Sequence, residues 1–281
     1  VINIPPGKED GPYGNYLKER YAPLLKTSFD KVVKQSASYT FRTCEWGMDC
    51  LDVPIYGYVD KLSQRQVFHA GAHAAEEGFD GVYIDCAGDP MLYELRQALT
   101  IPVVGLGESS MYAALLMGRR FGIVNPTDNL AFPIEEQLER YGLKHRCAGV
   151  LSLPPGGDMA MGPALEDANE LLDYFIETGE RLVKQGAEVI VPGCCLMSLA
   201  AHLTPGAKSR FPAGLKEIDG AIVIDLIGIT VKSLETLISL RDAGLSWVSR
   251  KLVFASPPPE HKAKLTNVTE DSSLRYWDFT L

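Results

Sequence analysis

Two short stretches hold the residues most able to do chemistry. "GVYIDCAGDP", residues 81–90, runs from an apolar segment into a cysteine and an acidic turn, and "EVIVPGCCLM", residues 188–197, repeats the arrangement about a hundred residues later. Laid over each other, "EEGFDGVYIDC" and "KQGAEVIVPGC" share a helix end, a glycine, an acidic residue two positions on, a strand and a thiol. Gly78 precedes Cys86 by eight residues and Gly186 precedes Cys194 by eight, so the spacing selects Cys194 over its neighbour Cys195. Self-similarity of this kind reads as two copies of one supersecondary unit. A lone thiol at a strand end is commonly plain core, because free cysteine buries well. Matched thiols in matched units suit a different role, in which one thiolate removes a proton from carbon while the opposite thiol delivers one.

Each thiol is expected at the carboxyl end of a strand, just before a helix that opens "DPMLYEL" or "LMSLAAHL". Parallel sheets bind ligands at that edge. Asp89 reads as a helix N-cap with Pro90 at the first helical position, which brings unpaired amides and the positive end of a helix dipole near Cys86. Such an environment lowers a thiol below its free value of about 8.5. Asp85 opposes that effect if its side chain points inward.

Other constellations are weaker. His69, His73 and Glu77 are spaced one helical turn apart, yet solvated residues of a surface helix explain them better than a metal. Cys44 and Cys50 flank "EWGMD" in a loop with no second pair to complete a zinc site. The vicinal Cys194-Cys195 reads as one catalytic and one packed thiol. In "GLGESS", Glu108, Ser109 and Ser110 either cap a helix or line a cleft. Asp225 ends the strand "AIVID". No nucleophile elbow and no phosphate-cradling glycine loop occurs, which removes the common hydrolase and nucleotide-binding readings.

The elements that must position the thiols follow from patterning. Apolar runs at "GVYID", "IPVVG", "RFGIVN", "EVIVPG", "AIVID" and "KLVFAS" read as strands buried on both faces. Between them lie helical stretches such as "QRQVFHAGAHAAEEG", "ESSMYAALLMGRR" and "EDANELLDYFIETGERLVKQG", several ending in glycine. The alternation implies right-handed crossovers and a parallel sheet, an α/β fold. Residues 154–163 and 203–220 read as loops, and the tail from Ser256 is expected to wrap the surface or meet a partner subunit.

With 281 residues, 46% hydrophobic, 22% charged and 9% aromatic, the chain has the composition of a globular protein, with room for two domains. A net charge of -9 without a basic cluster argues against nucleic-acid and anionic-membrane partners and leaves a small-molecule substrate. No apolar run reaches spanning length. Six sparse cysteines fit reduced thiols in a cytoplasm, and no signal peptide is visible.

"DCAGDPMLYELRQALTIPVVGLGESSMYAALLMGRRFGIV" resembles the aspartate/glutamate/hydantoin racemase superfamily, and within it the hydantoin racemase branch. "GAEVIVPGCCLM" is similar to the branch's second cysteine motif, and "IVIDLIGITVKSLETL" to its closing strand and helix; the likeness covers about residues 65–240. It implies two pseudo-symmetric Rossmann-like domains, each with a parallel sheet and an active site in the cleft between them, here residues 1–112 plus 226–281 and residues 113–225. It implies no cofactor, no metal, a homo-oligomer, and Cys86 and Cys194 as the acid/base pair. Amides at Ala87, Gly88 and Cys195 then hold the developing oxyanion, with Asn3, Glu108 and Ser109 as further substrate-binding candidates. Free amino-acid racemases of the superfamily carry Cys-Asn-Thr and Cys-Thr; Ala87-Gly88-Asp89 and Cys195-Leu196-Met197 point instead to a 5-substituted hydantoin or related cyclic amide. The alternatives are a maleate-type cis-trans isomerase or an amino-acid racemase of the same superfamily, and, from another class, a two-domain binding protein without catalysis.

Overall fold

Strand and helix alternate along the chain much as the apolar runs and amphipathic stretches require. The computed structural model describes residues 2–3, 9, 11–34, 37–44, 57–157, 159–262 and 276–280. Its first half contains β1 (Ile2–Asn3), α1 (Pro12–Tyr16), a π-helical turn (Leu17–Tyr21), α2 (Ala22–Val32), β2 (Thr40–Cys44), α3 (Gly57–Ala72), β3 (Val82–Asp85), α4 (Leu92–Ala98), β4 (Val103–Gly105) and α5 (Leu106–Met117). Then follow β5 (Phe121–Asn125), α6 (Ala131–Arg140), β6 (Cys147–Ser152), α7 (Asn169–Lys184), β7 (Val189–Pro192), α8 (Cys195–Leu203), α9 (Pro205–Arg210), β8 (Glu217–Ile218), β9 (Ala221–Val223) and α10 (Leu226–Asp242). The chain closes with α11 (Pro259–Lys262) and β10 (Tyr276–Thr280).

The strands form two five-stranded sheets, ordered β10-β2-β1-β3-β4 and β6-β5-β7-β9-β8. Four strands of each run parallel, and one antiparallel strand is added at an edge, β10 on β2 and β8 on β9. Every residue of β3, β4, β5 and β7 is buried, as expected of strands covered by helices on both faces. One apolar cluster runs from Leu17 and Phe41 through Phe121, Phe175 and Val191, and a smaller one beneath α3 and α4 gathers Val67, Ile84, Leu92 and Val103. No helix among the described residues is long and apolar enough to cross a membrane.

Three expectations are corrected. "KLVFAS" is not a strand but a 3-10 turn at Leu252–Phe254, with Leu252 at φ 54° and Leu252 and Val253 exposed. Only Phe254 packs, edge-on to Tyr93 at 5.2 Å between ring centroids, so the run's apolar content misled. Residues 203–220 are not one loop. Thr204 accepts from the Ala207 amide to start α9 with Pro205 behind it, and Asp219-Gly220, both at positive φ, turn β8 into β9. The tail adds a strand to a sheet: β10 lies on β2 across five residue pairs, Tyr276 opposite Cys44 to Thr280 opposite Thr40. There the buried Arg42 guanidinium reaches Asp278 at 2.7 Å, Glu77 at 2.7 Å and the Ala70 carbonyl at 2.7 Å.

Candidate active site

The repeat seen in the sequence has a common backbone conformation. Gly78 and Gly186 adopt φ of +87° and +91°, and with the same pair of bonds they close, respectively, the turns that follow α3 and the end of α7. Phe79 N–H reaches the Ala74 carbonyl and Gly78 N–H the Ala75 carbonyl; Ala187 N–H reaches Leu182 and Gly186 N–H reaches Val183. This is the glycine-terminated helix end with bonds of six-to-one and five-to-two type. It launches β3 and β7 into the interior of their sheets, and each strand delivers a half-buried cysteine thiol beyond its carboxyl end, Cys86 and Cys194.

The surroundings of the two thiols differ. Cys194 is the N-cap of α8, in extended conformation with φ −153° and ψ 141°. Its thiol is shifted downward, first by a hydrogen bond with the Cys195 thiol and then, against burial, by the amides of Leu196 and Met197. Cys195, buried beside it, is driven well upward by that same bond and by burial, so it serves as the donor to a Cys194 thiolate. Sequence reading treated Cys195 as packing and substrate-binding backbone; its side chain also acts on its neighbour.

Cys86 has no helix start beside it. The expected cap is corrected: Asp89 and Met91 take left-handed conformations at φ 50° and 58°, and α4 begins only at Leu92. Asp89 turns instead to the next helix. Its carboxylate, 3% exposed, accepts from the Gly107 and Glu108 amides at the start of α5 at 2.8 and 2.6 Å. It also accepts from Gln137 Nε2 at 2.9 Å and Tyr141 Oη at 2.7 Å on and just after α6, tying the cysteine loop to the second half of the chain. Burial lifts this carboxyl to about 7 against the hydrogen bonds from Tyr141, Gly107 and Glu108.

Asp85 does point inward. Fully buried, it accepts from the hydroxyls of Tyr21 at 2.6 Å and Tyr83 at 2.9 Å, and burial lifts it to about 6. Its charge opposes ionisation of both Cys194 and Cys195. Tyr16 lies five residues before Tyr21, about one turn of the intervening π-helix, and its hydroxyl donates to the Gly162 carbonyl at 3.5 Å. Burial, followed by the charges of Cys194 and Cys195, raises the Tyr16 phenol and keeps it protonated. Sequence reading missed both tyrosines; their five-residue spacing is the available signal, and it carries no meaning until the π-turn is known.

The remaining candidates fall in different places. Asn3 ends β1, its backbone in register with Asp85 and Thr43. Gly88 lies in the turn after Cys86, where an added Cβ would stand 3.7 Å from the Cys86 sulfur. Among the described residues the Ala87 and Gly88 amides have no acceptor, while the Ala87 carbonyl accepts from Gln137 at 2.8 Å. Ser109 is buried in the first turn of α5. Glu108 gives both carboxylate oxygens to Arg96, one at 3.0 Å and the other closer. Asp225 accepts from the Ile227 and Gly228 amides and so caps α10. Glu77 is engaged by Arg42 and His73 by Glu76, and among the described residues no three His, Cys, Asp or Glu side chains form a metal cluster. Cys50 lies outside the described residues, as does the side chain of Cys44.

The two thiol loops meet. Ala87, next to Cys86, and Gly193, next to Cys194, line one narrow apolar cavity together with Gly107, Gln137, Pro192 and Leu226. The model of the Asp/Glu/Hydantoin racemase family matches residues 25–234. The chain belongs to that racemase family. A hydantoin racemase of Pseudomonas sp. (strain NS671) is 31% identical over 184 residues, 65% of this chain and 68% of that protein. One of Rhizobium meliloti is 29% identical over 220 residues, 77% and 80% of the two. Among solved structures, an allantoin racemase from Klebsiella pneumoniae shares the fold with a TM-score of 0.66 at 22% identity, over 85% of this chain and 89% of that one. These relatives are racemases and therefore isomerases. Both thiols of this racemase-family chain lie inside the matched residues.

Proposed function

We propose that the protein is a cofactor-independent racemase acting at the carbon next to a carbonyl in a 5-substituted hydantoin or related cyclic amide, with Cys86 and Cys194 as its acid/base pair. The observation that carries this reading is the common cavity lined by Ala87 and Gly193, the immediate neighbours of the two thiols. The names of the curated relatives favour the hydantoin, and so does the absence of the Asn-Thr and Thr side chains that grip a free amino acid's carboxylate.

In the proposed reaction the Cys194 thiolate, supported by the Cys195 S–H and the α8 amides, takes the C–H proton. The electron pair left on carbon moves into the neighbouring carbonyl to give an enolate. Cys86 then delivers its S–H proton to the opposite face, so the product leaves with inverted configuration, Cys194 protonated and Cys86 as thiolate. The oxyanion is held by the free amides of Ala87 and Gly88 and by the Cys195 amide at the start of α8. Tyr16, kept protonated, donates its hydroxyl to the Gly162 carbonyl at 3.5 Å and transfers that donation to the same oxygen or to the ring amide when substrate binds. The site belongs in a cleft between two pseudo-symmetric units, residues 1–112 with 226–281 and residues 113–225. The matching strand orders β2-β1-β3-β4 and β6-β5-β7-β9 support that division.

The test follows the C–H signal of single hydantoin enantiomers by proton NMR in D₂O together with optical rotation. Wild type exchanges the proton and racemises; Cys86→Ser and Cys194→Ser each lose roughly a thousandfold or more of that rate, since a serine hydroxyl is far less acidic than a thiol. Turnover that survives in both variants excludes the two-thiol mechanism, and retained binding without exchange in wild type supports the non-catalytic alternative.

A further inference from the structure

A second cavity, of about 210 Å³, lies where α2 packs on α8, and none of its lining residues borders the narrow cavity lined by Ala87 and Gly193. Ser28 and Lys31 of α2 form one wall; His202 near the end of α8, Lys216 before β8, Val223, and Asp225 at the start of α10 form the other. Along α8, His202 is eight residues from Cys194, about 12 Å at the helical rise of 1.5 Å per residue.

The charges around this cavity do not balance. Lys31 and Lys216 both border it, and neither is ion-paired with a carboxylate among the described residues. The single acid, Asp225, already accepts from the Ile227 amide at 3.1 Å and the Gly228 amide at 3.2 Å. Burial holds the His202 imidazole below its ordinary value; Asp225 and the Ile224 carbonyl, 3.4 Å from Nε2, pull it up, while Lys31 and Lys216 push it further down. Three nitrogen groups therefore crowd one void, in a chain whose overall charge is -9. An anion placed among them relieves that crowding, and the neutral imidazole, the two ammoniums and the Ser28 hydroxyl offer it donors from both walls.

We infer that this cavity is a binding site for a small oxyanion, a carboxylate or a phosphate, separate from the catalytic thiols and held by Lys31, Lys216 and His202. The volume suits an anion of a few heavy atoms and is below that of an ordinary drug-sized pocket. The inference does not depend on the proposed activity, because it concerns binding alone.

The experiment titrates the full chain with inorganic phosphate and, separately, with succinate, reading the ring-proton resonances of the histidines by NMR, with His202 assigned from a His202→Gln variant. The expected result is a saturable shift of the His202 resonance with at least one probe. That affinity weakens about tenfold or more in the double variant Lys31→Ala, Lys216→Ala, and is unchanged in the distant control Lys144→Ala. Both target lysines are exposed, so their removal leaves the fold in place. The probe that saturates at the lower concentration identifies phosphate or carboxylate as the ligand chemistry. A His202 resonance that neither probe moves, a shift that never saturates, or an affinity unaltered in the double variant overturns the inference.

Discussion

Replacing Cys195 by alanine removes the S–H that steadies the neighbouring thiolate while leaving the start of α8 intact. One hydrogen bond of about 1 to 1.5 kcal/mol corresponds to about one pH unit, so the rate-against-pH profile for alkylation of Cys194 by iodoacetamide moves that far toward alkaline pH. Asp85 makes a separate statement about stability. Its folded carboxyl titrates at about 6 against an ordinary value of 3.8, so the folded state holds the proton more tightly than the unfolded chain. The contribution is full below 3.8 and is lost as pH rises to about 6. Relative to Asp85→Asn, wild type therefore loses about 3 kcal/mol of unfolding free energy between pH 4 and pH 6 and nothing further above, as read by urea titrations across that range. At this scale the sequence was partly legible. Cys86 and Cys194 stood out because glycine, strand and thiol recur in step. Asp85, Tyr16 and Tyr21 did not, because their roles depend on a buried contact made across 64 residues and on a π-turn that no periodicity announces.

The cysteine loop after β3 and the start of α5 are packed backbone against backbone at Gly107. A Cβ there would meet the Ala87 carbonyl oxygen at 2.1 Å and Gln137 Nε2 at 2.7 Å, so neither neighbour can move aside without shifting the loop that carries Cys86. Gly107→Ala is expected to cost about 1–3 kcal/mol in chemical denaturation and to lower kcat for racemisation more than it raises KM, since the displaced groups hold the reacting atoms. Elements with strong patterning were legible, including the wholly buried β3, β4, β5 and β7 and the glycine stops after α5 and α7. β2 was not, because "TFRTC" places Arg42 at a core position and that charge is tolerable only through Glu77 and Asp278, 35 and 236 residues away. The misplaced cap at Asp89 has a similar origin. The residue has the right chemistry for capping, but a left-handed turn aims its carboxylate at the amides of α5 instead of those of α4.

Across the whole molecule the two sheets are built from the chain in different ways. The strands of the second lie between Phe121 and Val223, while the first takes its edge from Tyr276–Thr280. Deleting residues 263–281 strips β10 from β2, takes Asp278 from Arg42 and removes the buried Trp277. The expected outcome is a loss of roughly 3 kcal/mol, with self-association through the bared edge of Thr40–Cys44, measured by denaturation and by light scattering. The family resemblance assigned residues 226–281 to the first unit, but nothing in the sequence announced a strand there, since a five-residue stretch with one charged residue says nothing about which sheet it will join. The borrowed strand also sets an order of manufacture. As the chain leaves the ribosome, every strand of the second sheet has emerged by Val223, whereas the sheet beside Cys86 waits for its last strand until Thr280. The half made first is thus the half finished last, and a nascent chain interrupted before that point exposes an open edge that chaperones and proteases can recognise.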